Sequence, residues 1–383
     1  MKLIHLSDLH IGKRVNEVSM LDEQEYIFEQ IYAIIREENP DGIIIAGDVY
    51  DKSNPSAEAM TLFSSCLSHL SEFGKPVFVI SGNHDSAERI SYMNDILKKG
   101  QIYMSDVYRG KVEPVVLQDA YGPVNVYLLP FVKPAVVRAF LDEEEKAEVT
   151  DYNQAIRKAI EKMEVDSAAR NVIVTHQFIT DAVRSESEDL MVGGLDNVDA
   201  SVFEAFEYVA LGHLHRPQSC GRPEVRYCGS PLKYSFSEVQ DEKSVTVVEL
   251  QEKNHVEIRL IPLKPLHDWH DLKGSYDELT NRDFYLGKNY QEDFVRITLT
   301  DEEDIPDAMG KLRTIYHHIM EMRYDNKRTR AGLAVVDGAD KVEEKTPQEL
   351  FAELFLKQNG QEMSPEQKNF LDSVVEQIFE TDK

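Results

Sequence analysis

Aspartate, asparagine and histidine recur in five short segments, each of which directly follows a run of apolar residues. Carboxylate and amide oxygens and imidazole nitrogens are the groups that bind divalent metal ions. A single residue of this kind is weak evidence, because aspartate often caps a helix and histidine often lies hydrogen-bonded in a core. Together and in this order, the segments predict a metal centre. They are SDLH with Asp8 and His10, GDVYD with Asp48 and Asp51, GNHD with Asn83, His84 and Asp85, VTHQ with His176, and GHLH with His213 and His215.

The spacing within two of these segments suits ligands of one ion. Asp8 and His10 are two residues apart, as are His213 and His215, so in extended chain each pair would point the same way. The mixed ligand types favour Mn²⁺, Fe²⁺ or Zn²⁺ over Mg²⁺. Two such ions about 3.5 to 4 Å apart would activate water for an in-line displacement at phosphorus. Glycines that allow sharp turns and close approach open three of the segments: Gly47, Gly82 and Gly212.

The elements that carry these segments follow a strand, helix, strand order. This order predicts a largely parallel sheet whose strand ends open into one crevice, so that distant residues converge there. Predicted strands lie at Leu3–Leu6, Gly42–Ile45 and Pro76–Ile80, with helices near Asp22–Asn39 and Ala57–Phe73. Further strands are predicted at Val124–Leu129, Asn171–Thr175, Tyr208–Leu211, Val225–Cys228 and Ser244–Leu250. Because the later strands have little helix between them, we predict a two-sheet α/β sandwich over residues 1–262.

Prolines at Pro262 and Pro265 mark the end of this core. The strand pattern Phe294–Leu299 and an amphipathic stretch near Ile305–Arg323 predict a small α+β capping module over residues 263–336. A polar linker, 337–345, precedes two predicted amphipathic helices in 346–383. Their starts, Thr346-Pro347-Gln348-Glu349 and Ser364-Pro365-Glu366-Gln367, each combine a hydroxyl cap, proline and a later Glu or Gln.

The composition restricts the class of protein. With 42% hydrophobic residues the 383-residue chain can form a globular core, and its three cysteines form no CxxC pair. No segment resembles a signal peptide or reaches membrane-spanning length, so we expect a cytoplasmic protein. The net charge of −27 opposes nucleic acid binding when it is taken over the whole chain. The acid is gathered in runs such as DEEEKAE and DEED, and bound cations would offset site carboxylates, so the charge does not exclude DNA.

The motif order DxH, GDxxD, GNHD, H and GHxH resembles that of the calcineurin-like metallophosphoesterase superfamily. Within it, SDLHIGKR, YVALGHLHRPQ and YCGSPLKYSFSE are similar to segments of the SbcD family of bacterial DNA repair nucleases. The resemblance implies two metal sites that share Asp48 as a bridge, and it places His84 at the scissile phosphate. Asp51 and Asp85 are expected to hold the ligands in place. The implied ligands are Asp8, His10, Asp48 and His215 for one ion, and Asp48, Asn83, His176 and His213 for the other.

The resemblance also implies the biological role. It implies Mn²⁺, a homodimer within a heterotetramer with an SbcC-like ATPase, and association with the nucleoid in DNA repair, recombination and replication. The implied activities are 3′ to 5′ exonuclease action on double-stranded DNA and endonuclease action on hairpins and single strands. The C-terminal helices would dock on the ATPase, although their pattern alone favours packing of the helices on each other or on the nuclease domain. Candidate DNA contacts are Lys13, Arg14, Arg323, Lys327, Arg328 and Arg330.

Two other functions share parts of this pattern. A phosphomonoesterase or protein phosphatase would use the same metal chemistry, but GDVYDKS and GNHD differ from the segments usual in protein phosphatases. A non-catalytic scaffold would keep the fold without the ligands, whereas every expected ligand type is present here. The basic string from Arg323 to Arg330 also has a plain interpretation as a solvated helix end. The histidines outside the five segments are expected to be structural or exposed.

Overall fold

The structure is a computed structural model, and it describes residues 1–180, 182–188, 197–327, 329, 351–352, 354–356, 362–368 and 370–371. Its strands in chain order are β1 Lys2–Leu6, β2 Arg14–Val15, β3 Val18–Ser19, β4 Gly42–Ala46, β5 Val77–Ile80, β6 Ile102–Met104, β7 Val115–Asp119, β8 Gly122–Leu129, β9 Arg170–His176, β10 Phe178–Ile179, β11 Asn197–Val198, β12 Tyr208–Gly212, β13 Gln218–Cys220, β14 Arg222–Tyr227, β15 Ser244–Leu250, β16 Val256–Pro262, β17 Trp269–Gly274, β18 Phe294–Leu299 and β19 His318–Tyr324. Its helices are α1 Leu21–Glu38, α2 Ala57–Glu72, α3 Ala87–Ile90, α4 Asn94–Leu97, α5 Pro134–Arg138, α6 Glu143–Glu148, α7 Tyr152–Glu161, α8 Tyr276–Thr280, α9 Arg282–Tyr285 and α10 Ala308–Leu312.

Two six-stranded sheets form the first part of the described chain. The first has the order β16-β15-β1-β4-β5-β6, and the second has the order β13-β14-β12-β9-β8-β7. In the first sheet β1, β4, β5 and β6 run parallel, β15 pairs antiparallel with β1, and β16 pairs antiparallel with β15. In the second, β8, β9, β12 and β14 are parallel, and antiparallel strands β7 and β13 lie at its edges. The predicted two-sheet α/β sandwich is confirmed.

The two sheets pack face to face through alternating apolar side chains. All five residues of β4 are buried, because both faces of this strand are covered. Ile44 faces the layer between the sheets, and Ile43 and Ile45 face the outer core. Val172 and Val174 of β9 face the same inner layer, and Ile173 faces outward. Burial on both faces explains why these strands read as continuous apolar runs in the sequence.

Helices cover the outer faces of the sandwich. Helix α1 places Ile27, Ile31 and Ile35 in the outer core of the first sheet, at the spacing of one helical face. It ends at Asn39, which has a left-handed conformation with φ of 44°. The side chain of Ser56 accepts a hydrogen bond from the backbone N–H of Ala59 and so caps α2. Helices α1 and α2 therefore lie where the sequence predicts crossover connections.

The predicted amphipathic stretch near Ile305–Arg323 contains a helix and a strand in the structure. It contains the five-residue helix α10 followed by strand β19, which joins β17 and β18 in a three-stranded sheet. Strand β19 has the sequence HIMEMRY, in which Ile319 and Met320 are buried. Pairing with β18 satisfies the backbone polar groups there, which local periodicity does not reveal.

Contacts divide the chain into two compact units. The larger comprises Met1–Leu272, Arg282–Ile297 and Met309–Met322, and the smaller comprises Lys273–Asn281, Thr298–Ala308 and Arg323–Lys383. Within the larger unit, Trp269 and Phe294 belong to the same apolar core as α1. Among the described residues, no helix combines the length and the apolar content that crossing a bilayer requires.

Candidate metal centre

The predicted site residues lie where five parallel strands end. Within each sheet the carboxyl ends of neighbouring parallel strands meet at one edge, which explains why residues far apart in sequence come together. Asp8 and His10 follow β1, Asp48 and Asp51 follow β4, Asn83, His84 and Asp85 follow β5, His176 ends β9, and His213 and His215 follow β12.

Four of the site residues have a positive backbone φ. Asp8 and His10 have φ of 52° and 44°, Asp48 has φ of 46°, and His213 has φ of 109°. The expectation that Asp8 and His10 lie in extended chain is therefore wrong. The left-handed turn is held by backbone hydrogen bonds, including that from the N–H of His10 to the carbonyl of Asp48 at 2.9 Å. Left-handed non-glycine residues of this kind cost about 1 to 3 kcal/mol each and cluster at functional sites.

Three glycines allow the segments to approach one another. A Cβ atom on Gly212 would lie 1.8 Å from the carbonyl oxygen of Ala46, and one on Gly82 would lie 2.1 Å from Oδ1 of Asp48. On Gly47, which has φ of 89°, a Cβ would lie 2.4 Å from Nδ1 of His176. Glycine is thus required at these positions for close approach, as the sequence predicts.

Asp48 lies at the middle of the cluster and is only 2% exposed. Its Oδ2 is 3.3 Å from Nε2 of His176, 3.6 Å from Nε2 of His10 and 4.0 Å from Nε2 of His84. Its Oδ1 accepts a hydrogen bond of 3.0 Å from the backbone N–H of His84. One carboxylate therefore faces imidazoles that come from both sheets.

Three groups of side chains offer ligand atoms within 4.8 Å of one another. They are Asp8 with His10 and His215, Asp8 with Asp48 and His176, and His10 with Asp48 and His84. The third group includes His84, so distance alone does not distinguish this histidine from the expected ligands.

Asn83 joins two further imidazoles to the cluster. Its Oδ1 is 3.0 Å from Nε2 of His176 and 3.0 Å from Nδ1 of His213. Contacts therefore join Asn83, His176, His213 and Asp48 into a continuous set.

Hydrogen bonds fix which ring nitrogen faces the centre. Nδ1 of His176 donates to the carbonyl of Ala46 at 2.9 Å, and a carbonyl can only accept, so Nε2 is left for the site. Nδ1 of His215 donates to Oγ of Ser187 at 2.7 Å, because that hydroxyl gives its own hydrogen to Glu238. Metal-binding histidines are commonly held in this way.

The donor set fits divalent cations. The Nε2 atoms of His10 and His215 face each other at 3.0 Å, and Nδ1 of His10 is buried with no hydrogen-bond partner among the described residues. Buried ring nitrogens without proton partners suit a cation that accepts their lone pairs. Imidazole, amide and carboxylate groups together favour a transition metal over a purely oxygen-bound ion.

Burial and charge adjust the protonation of these groups. Burial lowers the pKa of His213 to about 3 and holds the pKa of His10 well below its ordinary value. Burial alone would lower the pKa of His176, but the Asp48 carboxylate raises it to about 9. Burial alone would raise the pKa of Asp48, but His176 holds it well below its ordinary value. Burial raises the pKa of Asp8 to about 6. Neutral His10 and His213 are ready to bind a cation without first losing a proton.

Asp85 and Asp51 support the segments around the site. The carboxylate of Asp85 accepts hydrogen bonds from the backbone N–H groups of Val49, Tyr50 and Gly82 at 3.0, 2.9 and 2.9 Å, which ties the GDVYD and GNHD segments together. The carbonyl of Asp51 accepts from Nδ1 of His84 at 3.0 Å.

The candidate DNA contacts are differently placed. Lys13 forms an ion pair of 2.8 Å with Asp51 beside the site, whereas Arg14 is exposed and donates to the carbonyl of Glu17. Arg323 and Lys327 are exposed. Arg328 and Arg330 lie outside the described residues.

Several residues that surround His215 carry no functional signal in the sequence. His215 forms hydrogen bonds with Ser187, Glu188 and Lys243. Glu238 is linked to it through Ser187 and Lys243. Glu238 closes the YCGSPLKYSFSE segment, but its position beside His215 depends on folding. Arg184 also has no such signal, and its guanidinium lies 3.5 Å from the centre of the Phe178 ring.

Comparisons with known proteins place the chain in a family. Residues 1–217 match the family described as calcineurin-like phosphoesterase, and residues 262–359 match the type 5 capsule protein repressor C-terminal domain. A dimetal phosphatase from Danio rerio shares 11% identity with a TM-score of 0.42, over 70% of this chain and 98% of that one.

Two curated relatives are named as the SbcD component of the nuclease SbcCD. The protein from Staphylococcus epidermidis is 33% identical over 326 residues, which are 84% of this chain and 85% of that protein. The protein from Staphylococcus saprophyticus is 32% identical over 326 residues, or 84% of each. The chain therefore belongs to the calcineurin-like phosphoesterase family and, within it, to the SbcD family of nucleases.

Proposed function

We propose that this protein is a two-metal phosphodiesterase that cuts DNA as the nuclease subunit of a complex with an SbcC-like ATPase. The observation that carries the proposal is the convergence of carboxylate, amide and imidazole groups from both sheets around the buried Asp48. The names of the curated relatives support a nuclease over other phosphoesterases.

Two divalent ions, with Mn²⁺ as the proposed metal, are assigned to this site. Asp48 is proposed as the bridge, because its Oδ2 lies 3.3 Å from Nε2 of His176 and 3.6 Å from Nε2 of His10, two imidazoles that are assigned to different ions. When bound, two ions activate water and stabilise the oxygens of an in-line displacement. The proposed ligands are Asp8, His10, Asp48 and His215 for one ion, and Asp48, Asn83, His176 and His213 for the other.

His84 is proposed to act on the leaving group. Its Nδ1–H is held by the carbonyl of Asp51, so Nε2 is the ring atom that faces the site. A protonated Nε2 would give its proton to the departing oxygen as a general acid. Asp51 and Asp85 keep this ring and the neighbouring ligand Asn83 in position.

DNA is the proposed substrate despite the net charge of −27. The two ions would offset the carboxylates at the site, and cationic side chains near it would meet the phosphate backbone. We propose 3′ to 5′ exonuclease action on double strands and endonuclease action on hairpins and single strands. The candidate contacts are Lys13, Arg14, Arg323, Lys327, Arg328 and Arg330.

The proposed division of the chain gives each part a task. Residues 1–262 would form the nuclease, 263–336 a capping module that touches DNA, 337–345 a linker and 346–383 the helices that dock on the ATPase. Described helical residues near the C-terminus, Phe351, Leu354 and Phe370, are 48%, 52% and 71% exposed. Large exposed apolar side chains suit burial against a partner. We propose a nuclease homodimer within a heterotetramer.

The test is a cleavage assay with purified protein and Mn²⁺ on labelled linear duplex, hairpin and single-stranded DNA, with and without the ATPase and ATP. The proposal predicts cleavage of hairpins and single strands by the nuclease, and digestion of duplex ends that requires the ATPase with ATP. An aryl phosphomonoester serves as the comparison substrate. Hydrolysis of the monoester without cleavage of any DNA would contradict the proposal and favour a phosphomonoesterase.

A further inference from the structure

Residues 182–188, here called the clasp segment, are anchored beside the metal centre. The side chain of Gln218 holds Val183 at both backbone groups, accepting from its N–H at 2.8 Å and donating to its carbonyl at 2.7 Å. The backbone N–H of Glu186 donates to Oγ of Ser237 at 2.9 Å. The segment is thus tied to the chain that follows the GHLH segment.

The clasp segment also holds His215 directly. Oε1 of Glu188 accepts a hydrogen bond of 2.7 Å from the backbone N–H of His215. Oγ of Ser187 accepts from Nδ1 of the same residue at 2.7 Å and donates to Oε1 of Glu238 at 2.6 Å. Glu188 therefore fixes the backbone of His215, and Ser187 fixes its ring.

A buried ion pair completes this arrangement. Glu238 is 0% exposed and Lys243 is 4% exposed, and their charged groups are 2.6 Å apart. Lys243 also donates to the carbonyl of His215 at 2.7 Å and to Oγ of Ser230 at 3.0 Å. A buried ion pair adds little to stability on balance, because desolvating both charges is costly. Its contacts here instead serve the orientation of His215.

His176 and His213 are held by other parts of the chain. Nδ1 of His176 is held by the carbonyl of Ala46 in the first sheet, and Nδ1 of His213 faces Oδ1 of Asn83. The two proposed ions therefore have unequal support. The ion assigned to His176 has a ligand that is held by the first sheet. The ion assigned to His215 has a ligand that is held by a loop, the clasp segment.

We infer that Ser187 and Glu188 are positioning residues that set the affinity of the ion bound by Asp8, His10, Asp48 and His215, and leave the other ion unaffected. This inference rests on the proposed two-metal function. Outer hydrogen bonds to a metal-binding histidine orient the ring and raise its basicity, and their loss typically costs about 10- to 100-fold in metal affinity. Among the described residues, Ser187 and Glu188 form hydrogen bonds to His215 and to no ligand of the other proposed ion.

The test is titration of the full-length protein with Mn²⁺. Binding is measured by calorimetry and by the electron paramagnetic resonance signal of free Mn²⁺. Ser187→Ala should weaken one of two binding events by about 10- to 100-fold and leave the other unchanged. Ser187→Thr keeps the hydroxyl and should restore the wild-type titration. Ser235→Ala is the matched control, because Ser235 donates to Glu238 at 2.8 Å and, among the described residues, has no hydrogen bond to His215; it should leave both events unchanged.

The outcomes separate this inference from the proposed function. If wild-type protein binds fewer than two ions, the two-metal function itself is overturned. If wild type binds two ions and Ser187→Ala binds both with unchanged affinity, or loses both equally, the role of the clasp segment is refuted. Should Ser187→Ala fail to fold, Glu188→Ala, which removes the acceptor of the His215 backbone N–H, replaces it with the same expected effect, and unfolding of each variant without metal checks its fold.

Discussion

The Asp48 carboxylate meets His84 at two points, since Oδ1 accepts the backbone N–H of His84 at 3.0 Å and Oδ2 lies 4.0 Å from its Nε2. The segments after β4 and β5 are thereby joined through one side chain. Asp48, the proposed bridge between the ions, therefore also holds His84, which is proposed to act on the leaving group. Different substitutions should therefore separate metal binding from catalysis.

Asp48→Asn is expected to abolish Mn²⁺-dependent cleavage while the protein stays folded. An asparagine retains an acceptor for the N–H of His84 but loses the charge and one metal-binding oxygen. We expect the cleavage rate to fall by more than about 100-fold, beyond the usual effect of changing a residue that only supports a ligand. The measurement is the rate on single-stranded DNA, together with thermal unfolding without metal. A rate within about tenfold of wild type would refute the bridging role.

His84→Ala is expected to lose most turnover and to keep both ions. The ring is held at Nδ1 by Asp51, and the proposed role of Nε2 lies in the transition state. General acid catalysis typically contributes about 10²- to 10⁴-fold, so kcat should fall within this range. Mn²⁺ stoichiometry is measured by titration, with His69→Ala, an exposed helix residue, as the control. Loss of one ion would instead make His84 a ligand.

Gly212→Ala is expected to destabilise the protein and disorder the centre. Its Cβ would lie 1.8 Å from the carbonyl oxygen of Ala46, and the strands on either side cannot easily move apart. We expect unfolding free energy to fall by about 3 kcal/mol or more. Gly100→Ala is the control, since no atom lies within 4 Å of its added Cβ. Denaturant unfolding that shows equal stability for the two variants would contradict this geometry.

Truncation after residue 345 is expected to separate cleavage from partner binding. The shortened protein should keep Mn²⁺-dependent endonuclease activity and lose ATP-dependent digestion of duplex ends, because the proposed docking helices are removed. Residues 346–350 and the linker lie outside the described part of the chain, and this prediction follows from the two helix starts in the sequence. Co-purification with the ATPase is the measurement. A truncated protein recovered at full stoichiometry with the ATPase would argue against this docking site.

Much of the fold and of the clustering at the site is predictable from the sequence. β4 and β9 are buried on both faces, so they appear as unbroken apolar runs, and the residues after such runs must lie at one sheet edge. Asp8 follows β1 of the first sheet and His215 follows β12 of the second, so the packing of the two sheets brings them together although 207 positions separate them in the sequence.

The supporting contacts are not predictable in the same way. Ser187 and His215 are 28 residues apart and meet only because the clasp segment folds back onto the chain after β12. The left-handed conformations of Asp8 and His10 are also not predictable, because aspartate and histidine, although enriched at positive φ, adopt it in only a small minority of cases. The division of Ile305–Arg323 into helix and strand depends on pairing with β18, which local periodicity does not contain.

The central claim is that two ions share Asp48, and anomalous scattering at the manganese edge from crystals grown with Mn²⁺ tests it most directly. We predict two peaks about 3.5 to 4 Å apart with the Asp48 carboxylate between them, one beside His215 and the other beside His176. A single peak, or two peaks of which only one contacts Asp48, would contradict it.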